Sequence, residues 1–221
     1  MVYACKQVLE LQEFYRGAMP QDFSTTVELV EEHSQRLLAA HQAGDPVCVC
    51  QIRNWHPQLV SKPPEEVLAA EFDLGDARNT IMREFGFVRG DGTVGGAMVS
   101  MVRLPEAFDH DFGLAVDLAL AGNTTELRAM LEKRPKLATQ RSAFGHGATL
   151  LIYLGSNGVE MWRQVVPDNI VEVAELLITH GADRRATMPV YGGEFDALAL
   201  AETSAHPREA GVLDNLVKVL K

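Results

Sequence analysis

Along most of the chain apolar residues return every three or four positions, the spacing of a helix with one buried face. The clearest case is residues 169–183, where Ile170, Val173, Ala174, Leu176 and Leu177 are interspersed with Glu172 and Glu175. Asn169 can accept an orphan N–H of the first turn, and His180 falls where the helix dipole favours positive charge. Gly181 then offers the left-handed conformation that stops a helix. The pattern predicts a short helix, marginal alone, that must lean on neighbours. Upstream, Val8, Leu9, Leu11, Phe14 and Tyr15 predict a helix over 2–16, ended by Gly17 and Pro20. Thr25 and Glu28 have capping-box spacing ahead of a helix reaching Ala43, with Val27, Val30, Leu37 and Leu38 on its buried stripe. Gly44, Asp45 and Pro46 interrupt the pattern, and Val47, Val49, Ile52 and Trp55 resume it up to Pro57. Asp73 is placed to cap a helix carrying Leu74, Ala77, Ile81, Met82 and Phe85, closed by Gly86.

Spacing recurs between segments. Gly44, Pro57 and Leu59 sit at the same offsets as Gly122, Pro135 and Leu137, each glycine followed by a polar Asp45 or Asn123. Two helices joined at a glycine therefore recur, which marks either repeated units or the plain grammar of helical hairpins. The run of glycines between Gly90 and Gly96 is the best linker candidate. It divides the chain into a helical N-terminal region, 1–97, which could hold a degenerate repeat, and a second region, 98–221. In the second region Ala115, Leu118 and Ala119 mark one helix from about Phe112, and Leu127, Met130 and Leu131 the inner face of the next.

Residues 149–183 resemble an ankyrin repeat. Thr149, Leu151 and Gly158 hold their places in the first half of that pattern, and Glu172, Val173, Ala174, Leu176 and Leu177 in the second, with Gly181, Ala182 and Asp183 as the closing triplet. The pattern's Pro is Leu150 here and its His is Ile152, so a hydrogen bond that ties repeats together in the family is lost. Residues 74–87 also resemble a segment found ahead of the repeats in bacterial ankyrin-repeat proteins. The resemblance implies an all-α, ankyrin-like helical-repeat solenoid that binds a protein partner through its concave face. It also implies that residues 159–169 are an insertion between the two helices of one repeat, and that 203–211 are a shorter one at the corresponding edge of the next. Stacking would bring these edges together, with Trp162 filling the space between them. Further repeats could follow Lys221 in a longer chain.

In that architecture residues 140–146 and 184–195 are turns beside the concave face, and both carry aromatic or basic residues of the kind that anchor interfaces. Phe144, His146, Tyr153, Tyr191 and Phe195 are the expected partner-binding residues. A rival reading is a small-ligand protein or enzyme with a pocket where the insertions meet, near Tyr153, Trp162, Arg163 and His206.

The rest of the sequence narrows the function classes. A net charge of −10 disfavours non-specific nucleic-acid binding. No apolar run approaches the roughly 20 residues of a membrane span, and the N-terminus lacks the pattern of a secretory signal. Three cysteines, an odd number, point to a reducing, cytoplasmic setting. Cys48 and Cys50 with His41 and His56 are the only cluster resembling metal ligands, but cysteines two apart on a helix diverge, so no metal is expected. Asp109, His110 and Asp111 read as a polar helix cap rather than a base flanked by carboxylates. No nucleophile, base and oxyanion site assemble, and the expectation is a binding protein without catalysis, cofactor or metal. The sequence leaves its partner and its oligomeric state open.

Overall fold

The computed structural model describes residues 1–89, 100–101, 109–143 and 145–221. The chain forms two compact units, one from Leu9–Phe108 and one that joins Met1–Val8 to Asp109–Lys221. The expected boundary at 97/98 lies outside the described residues. The protein is mostly helical, but the three antiparallel two-stranded sheets among the described residues correct the expectation of an all-α chain.

In the first unit, Thr26–Gln42 (α2, after α1, Lys6–Phe14) packs on Val47–Trp55 (α3) and on Leu74–Glu84 (α5), with Pro64–Ala69 (α4) against α3. The caps are those the sequence announces. Thr25 and Glu28 exchange bonds at the start of α2, as Asp73 and Asp76 do at the start of α5. The buried line of α2 runs through Leu29, Val30, His33, Leu37 and Ala40, and Val27 lies outside it at 60% exposed. His33 is the polar residue that hid this phase. Its ring stacks on Tyr15, its Nε2 meets the Ala18 carbonyl at 2.7 Å, and burial pulls its pKa down to about 3, so it sits in the core as a neutral aromatic. Beyond α5, Val88–Arg89 (β2) pairs with Ser100–Met101 (β3).

The second unit opens with Val2–Tyr3 (β1), where a helix from Val2 is expected; α1 begins only at Lys6. His110–Leu120 (α6) pairs with Thr124–Lys133 (α7), and Leu150–Tyr153 (α8) with Ile170–Thr179 (α9). After Thr187–Val190 (β5) and Gly193–Asp196 (β6), Ala197–Thr203 (α10) pairs with Leu213–Leu220 (α12), with His206–Glu209 (α11) between them. The pairs lie in two rows: α6 packs on α8 and α8 on α10, while α7 packs on α9 and α9 on α12. Close approach is built in, since a Cβ on Gly155 would come within 2.8 Å of the Leu200 Cβ. Residues 159–169 connect α8 to α9 through a one-turn helix (Met161–Arg163) and a strand, Val166–Pro167 (β4), which pairs with β1.

Helix α9 ends as its sequence predicts. Gly181 has φ +94°, its N–H meets the Ile178 carbonyl at 2.9 Å, and the next N–H, of Ala182, reaches the Leu177 carbonyl at 3.0 Å. An added Cβ would meet nothing within 4 Å, so the cost of Gly181→Ala is backbone strain alone. The expected loss is about 1 kcal/mol, read from urea unfolding. An unchanged midpoint would contradict the left-handed turn. At the other end of α9 the sequence reading needs correction. The Asn169 side chain does not cap its own helix; its Nδ2 donates to the Gly122 carbonyl at 2.9 Å, tying the insertion to the α6–α7 turn.

Candidate binding surface

Residues 184–195, expected to be a long turn, contain the β5–β6 hairpin. Its two tip residues, Tyr191 and Gly192, take φ +53° and +78°, the twin left-handed positions of the tight turn that suits strand twist. Gly192 does this freely, whereas Tyr191 carries a Cβ in a region that disfavours it. The ring is held there, because its hydroxyl donates to Asn157 Oδ1 at 3.0 Å while Asn157 Nδ2 donates to Thr203 Oγ1 at 3.2 Å. Tyr191 is still 55% exposed. Phe195 is half-buried, and a Cβ on Gly193 would lie 2.8 Å from its ring.

The preceding turn leans on the same hairpin. Arg141 Nη1 donates to the Thr187 carbonyl at 2.7 Å and to the Gly147 carbonyl at 3.0 Å. His146, expected to meet a partner, is buried, with φ +59°. Phe144 lies outside the described residues. The structure thus brings Arg141, Tyr191 and Phe195 onto one hairpin and turns His146 inward.

Tyr153, expected on the binding face, has no exposed surface and belongs to a buried polar cluster. Its hydroxyl lies 3.1 Å from Glu160 Oε1 and 3.3 Å from Ser142 Oγ. Arg163 Nη1 donates to the same Glu160 oxygen at 3.2 Å, and Arg163 Nε to Asp117 Oδ1 at 3.0 Å. Glu160 Oε2 is buried with no hydrogen-bond partner among the described residues. Burial pushes the Glu160 carboxyl above its ordinary range, against the pull of Arg163. Burial also raises the Tyr153 phenol, with Glu160 adding to it. For Arg163 burial works the other way, but Glu160 and Asp117 outweigh it and hold the guanidinium firmly charged. These bonds link α6, α8 and residues 142 and 160–163 through buried side chains. Glu160, Ser142 and Asp117 escaped the sequence reading. The available signal was Glu160 and Arg163 at i,i+3 within an apolar insertion.

The residues expected to line a pocket are placed as follows. Trp162 is buried beside Arg163 on the inserted turn. His206 starts α11 half-buried, its pKa lowered by burial and partly restored by Glu209. Tyr153 and Arg163 do meet, the guanidinium carbon 5.9 Å from the ring centre.

In the first unit His41 Nε2 sits 2.8 Å from the Val67 carbonyl, His56 Nε2 3.3 Å from Asp76 Oδ1, and the buried Cys48 thiol 3.0 Å from the Asp45 carbonyl. Burial pushes that thiol up to about 11. Among the described residues no three His, Cys, Asp or Glu side chains are grouped to hold a metal ion. Asp109 does cap α6, accepting the Phe112 N–H at 3.0 Å. Among the described residues no helix is long and apolar enough to cross a membrane. Comparison of the chain with family models, curated proteins and solved structures finds no match.

Proposed function

We propose that the second unit is an ankyrin-like stack of helix pairs that binds a protein partner, without catalysis, through the face carrying the β5–β6 hairpin. The two rows of helices support the stack, with α6, α8 and α10 in one and α7, α9 and α12 in the other. The observation that carries the binding reading is Tyr191, a large aromatic held exposed at a strained hairpin tip by Asn157. Exposed aromatics fixed before binding lose little entropy when they dock, which is why they serve as interface anchors. Strain at a ligand-facing position is itself a common companion of function. The burial of Tyr153 and Trp162 weighs against a pocket near the insertions. The acidic balance of the chain disfavours nucleic acid as the partner, and three free cysteines fit a reducing, cytoplasmic setting.

The test is affinity capture from the source cell with the intact chain and with Tyr191→Ala, quantified side by side. At least one protein is expected to be enriched by the parent and to fall about tenfold or more with the variant, with the helical circular-dichroism signal unchanged. Identical capture profiles would remove the hairpin from any binding site.

A further inference from the structure

In the second unit β1 bridges residues 166–168 and helix α11. Val2 pairs with Pro167 and Tyr3 with Val166, and the Asp168 N–H reaches the Met1 carbonyl at 2.9 Å. On its other side the Tyr3 hydroxyl donates to the Glu209 carboxylate on α11. That bond pushes the Tyr3 phenol up to about 12, with a smaller push from desolvation, so it stays protonated and donating throughout the neutral range. Pro167 in turn packs against Gly122, where an added Cβ would come within 3.0 Å of its ring. A short segment near residue 2 therefore joins elements at 122, 167 and 209, one from each helix pair or its insertion.

In a stack each pair leans only on its neighbours, and a pair held from one side opens most easily. Helix α12 packs on α9, α10 and α11, all within or next to its own step of the stack. The Tyr3–Glu209 bond reaches the third pair from the edge of the second, through a strand distant in sequence. We infer that the Val2–Tyr3 strand is a lateral clasp that sets how readily the third helix pair opens, with Tyr3 and Glu209 as its catch. Whatever draws β1 away from β4 loosens α11 and α12 first and leaves α6 and α7 in place.

Hydrogen exchange followed by mass spectrometry on the full chain tests this, comparing the parent with Tyr3→Phe, Glu209→Ala and the double variant. Tyr3→Phe removes one oxygen and keeps the ring, so the fold is retained. Amides in residues 206–220 are expected to exchange about tenfold faster in each single variant, the scale of one charge-assisted bond. Residues 110–133 are expected to keep the parent rate. The double variant is expected to match the singles, since both remove the same catch. Unchanged exchange in 206–220, equal acceleration across the whole unit, or additive effects in the double variant would each overturn the clasp.

Discussion

Arg163→Ala is expected to destabilise the second unit by about 3–5 kcal/mol, the scale seen when one partner of a buried ion pair is removed. The guanidinium of Arg163 is nearly buried and Glu160 fully so. Asp117, the second carboxylate on Arg163, is half exposed and can return to water. Glu160 cannot. Without Arg163 it loses its charged partner, and among the described residues Oε1 keeps the Tyr153 hydroxyl while Oε2 has no hydrogen-bond partner. Glu160 must then be buried as an unpaired anion or take up a proton. Protonation sets the pH dependence. A carboxyl whose folded pKa stands above its unfolded value binds more protons in the native state. Its folded form is favoured below the ordinary carboxylate range and loses that advantage as pH rises through the raised value. Removing Arg163 lifts that value further, so the deficit should be largest at alkaline pH and shrink on acidification. Glu160→Gln in the Arg163→Ala background, which removes the charge, is expected to recover most of the loss at alkaline pH and progressively less as the pH falls. Urea unfolding followed by Trp162 fluorescence in a Trp55→Phe background reads this unit alone. A deficit independent of pH, or no recovery in the double variant, would show that Glu160 is not a buried anion facing Arg163.

What could be read from the sequence follows the range of the interactions. Apart from the Asn169 cap, whose side chain bonds the distant Gly122 instead, caps and stops were legible because each is written within four or five residues. Thr25 with Glu28, Asp73 before α5, Asp109 before α6 and Gly181 after α9 are all of this kind. The length of the 159–169 connection was visible as a break in spacing. Features that depend on distant partners were not. A two-residue strand such as β1 exists only because residues 166–167 lie beside it, and nothing in Met-Val-Tyr announces that. The hairpin was hidden by Pro189, which sits between Thr187 and Val190 and reads as a turn residue. The phase of α2 was missed because His33 counts as polar in any pattern yet packs as a ring on Tyr15. At the candidate site, Tyr191 was identifiable as an exposed aromatic, but its fixing by Asn157 was not. Tyr153 was misplaced for the same reason as His33: its polar end is satisfied inside, by Glu160 and Ser142.

Gly122→Ala is the second substitution with a large expected effect, about 2–4 kcal/mol, composed of backbone strain, overpacking and a lost hydrogen bond. It is instructive beside Gly181→Ala because the backbone requirement is nearly shared. Both glycines follow a helix with positive φ, +72° and +94°. The surroundings differ. The new methyl at 181 meets open space, while at 122 it would lie 2.1 Å from Asn169 Oδ1 and 3.0 Å from the Pro167 Cβ. Asn169 can swing away only by giving up its bond to the Gly122 carbonyl, and Pro167 is held by its pairing with Val2. The excess cost of the Gly122 variant over the Gly181 variant therefore measures how firmly the insertion is pressed onto the α6–α7 turn. Asn169→Ala should cost about 1 kcal/mol alone, for the lost bond, yet less than that in the Gly122→Ala background, where the clash has already broken it. Equal midpoints for Gly122→Ala and Gly181→Ala would mean that residues 167–169 do not rest on that turn. The path from β1 through Pro167 to Gly122 would then be broken at its last joint.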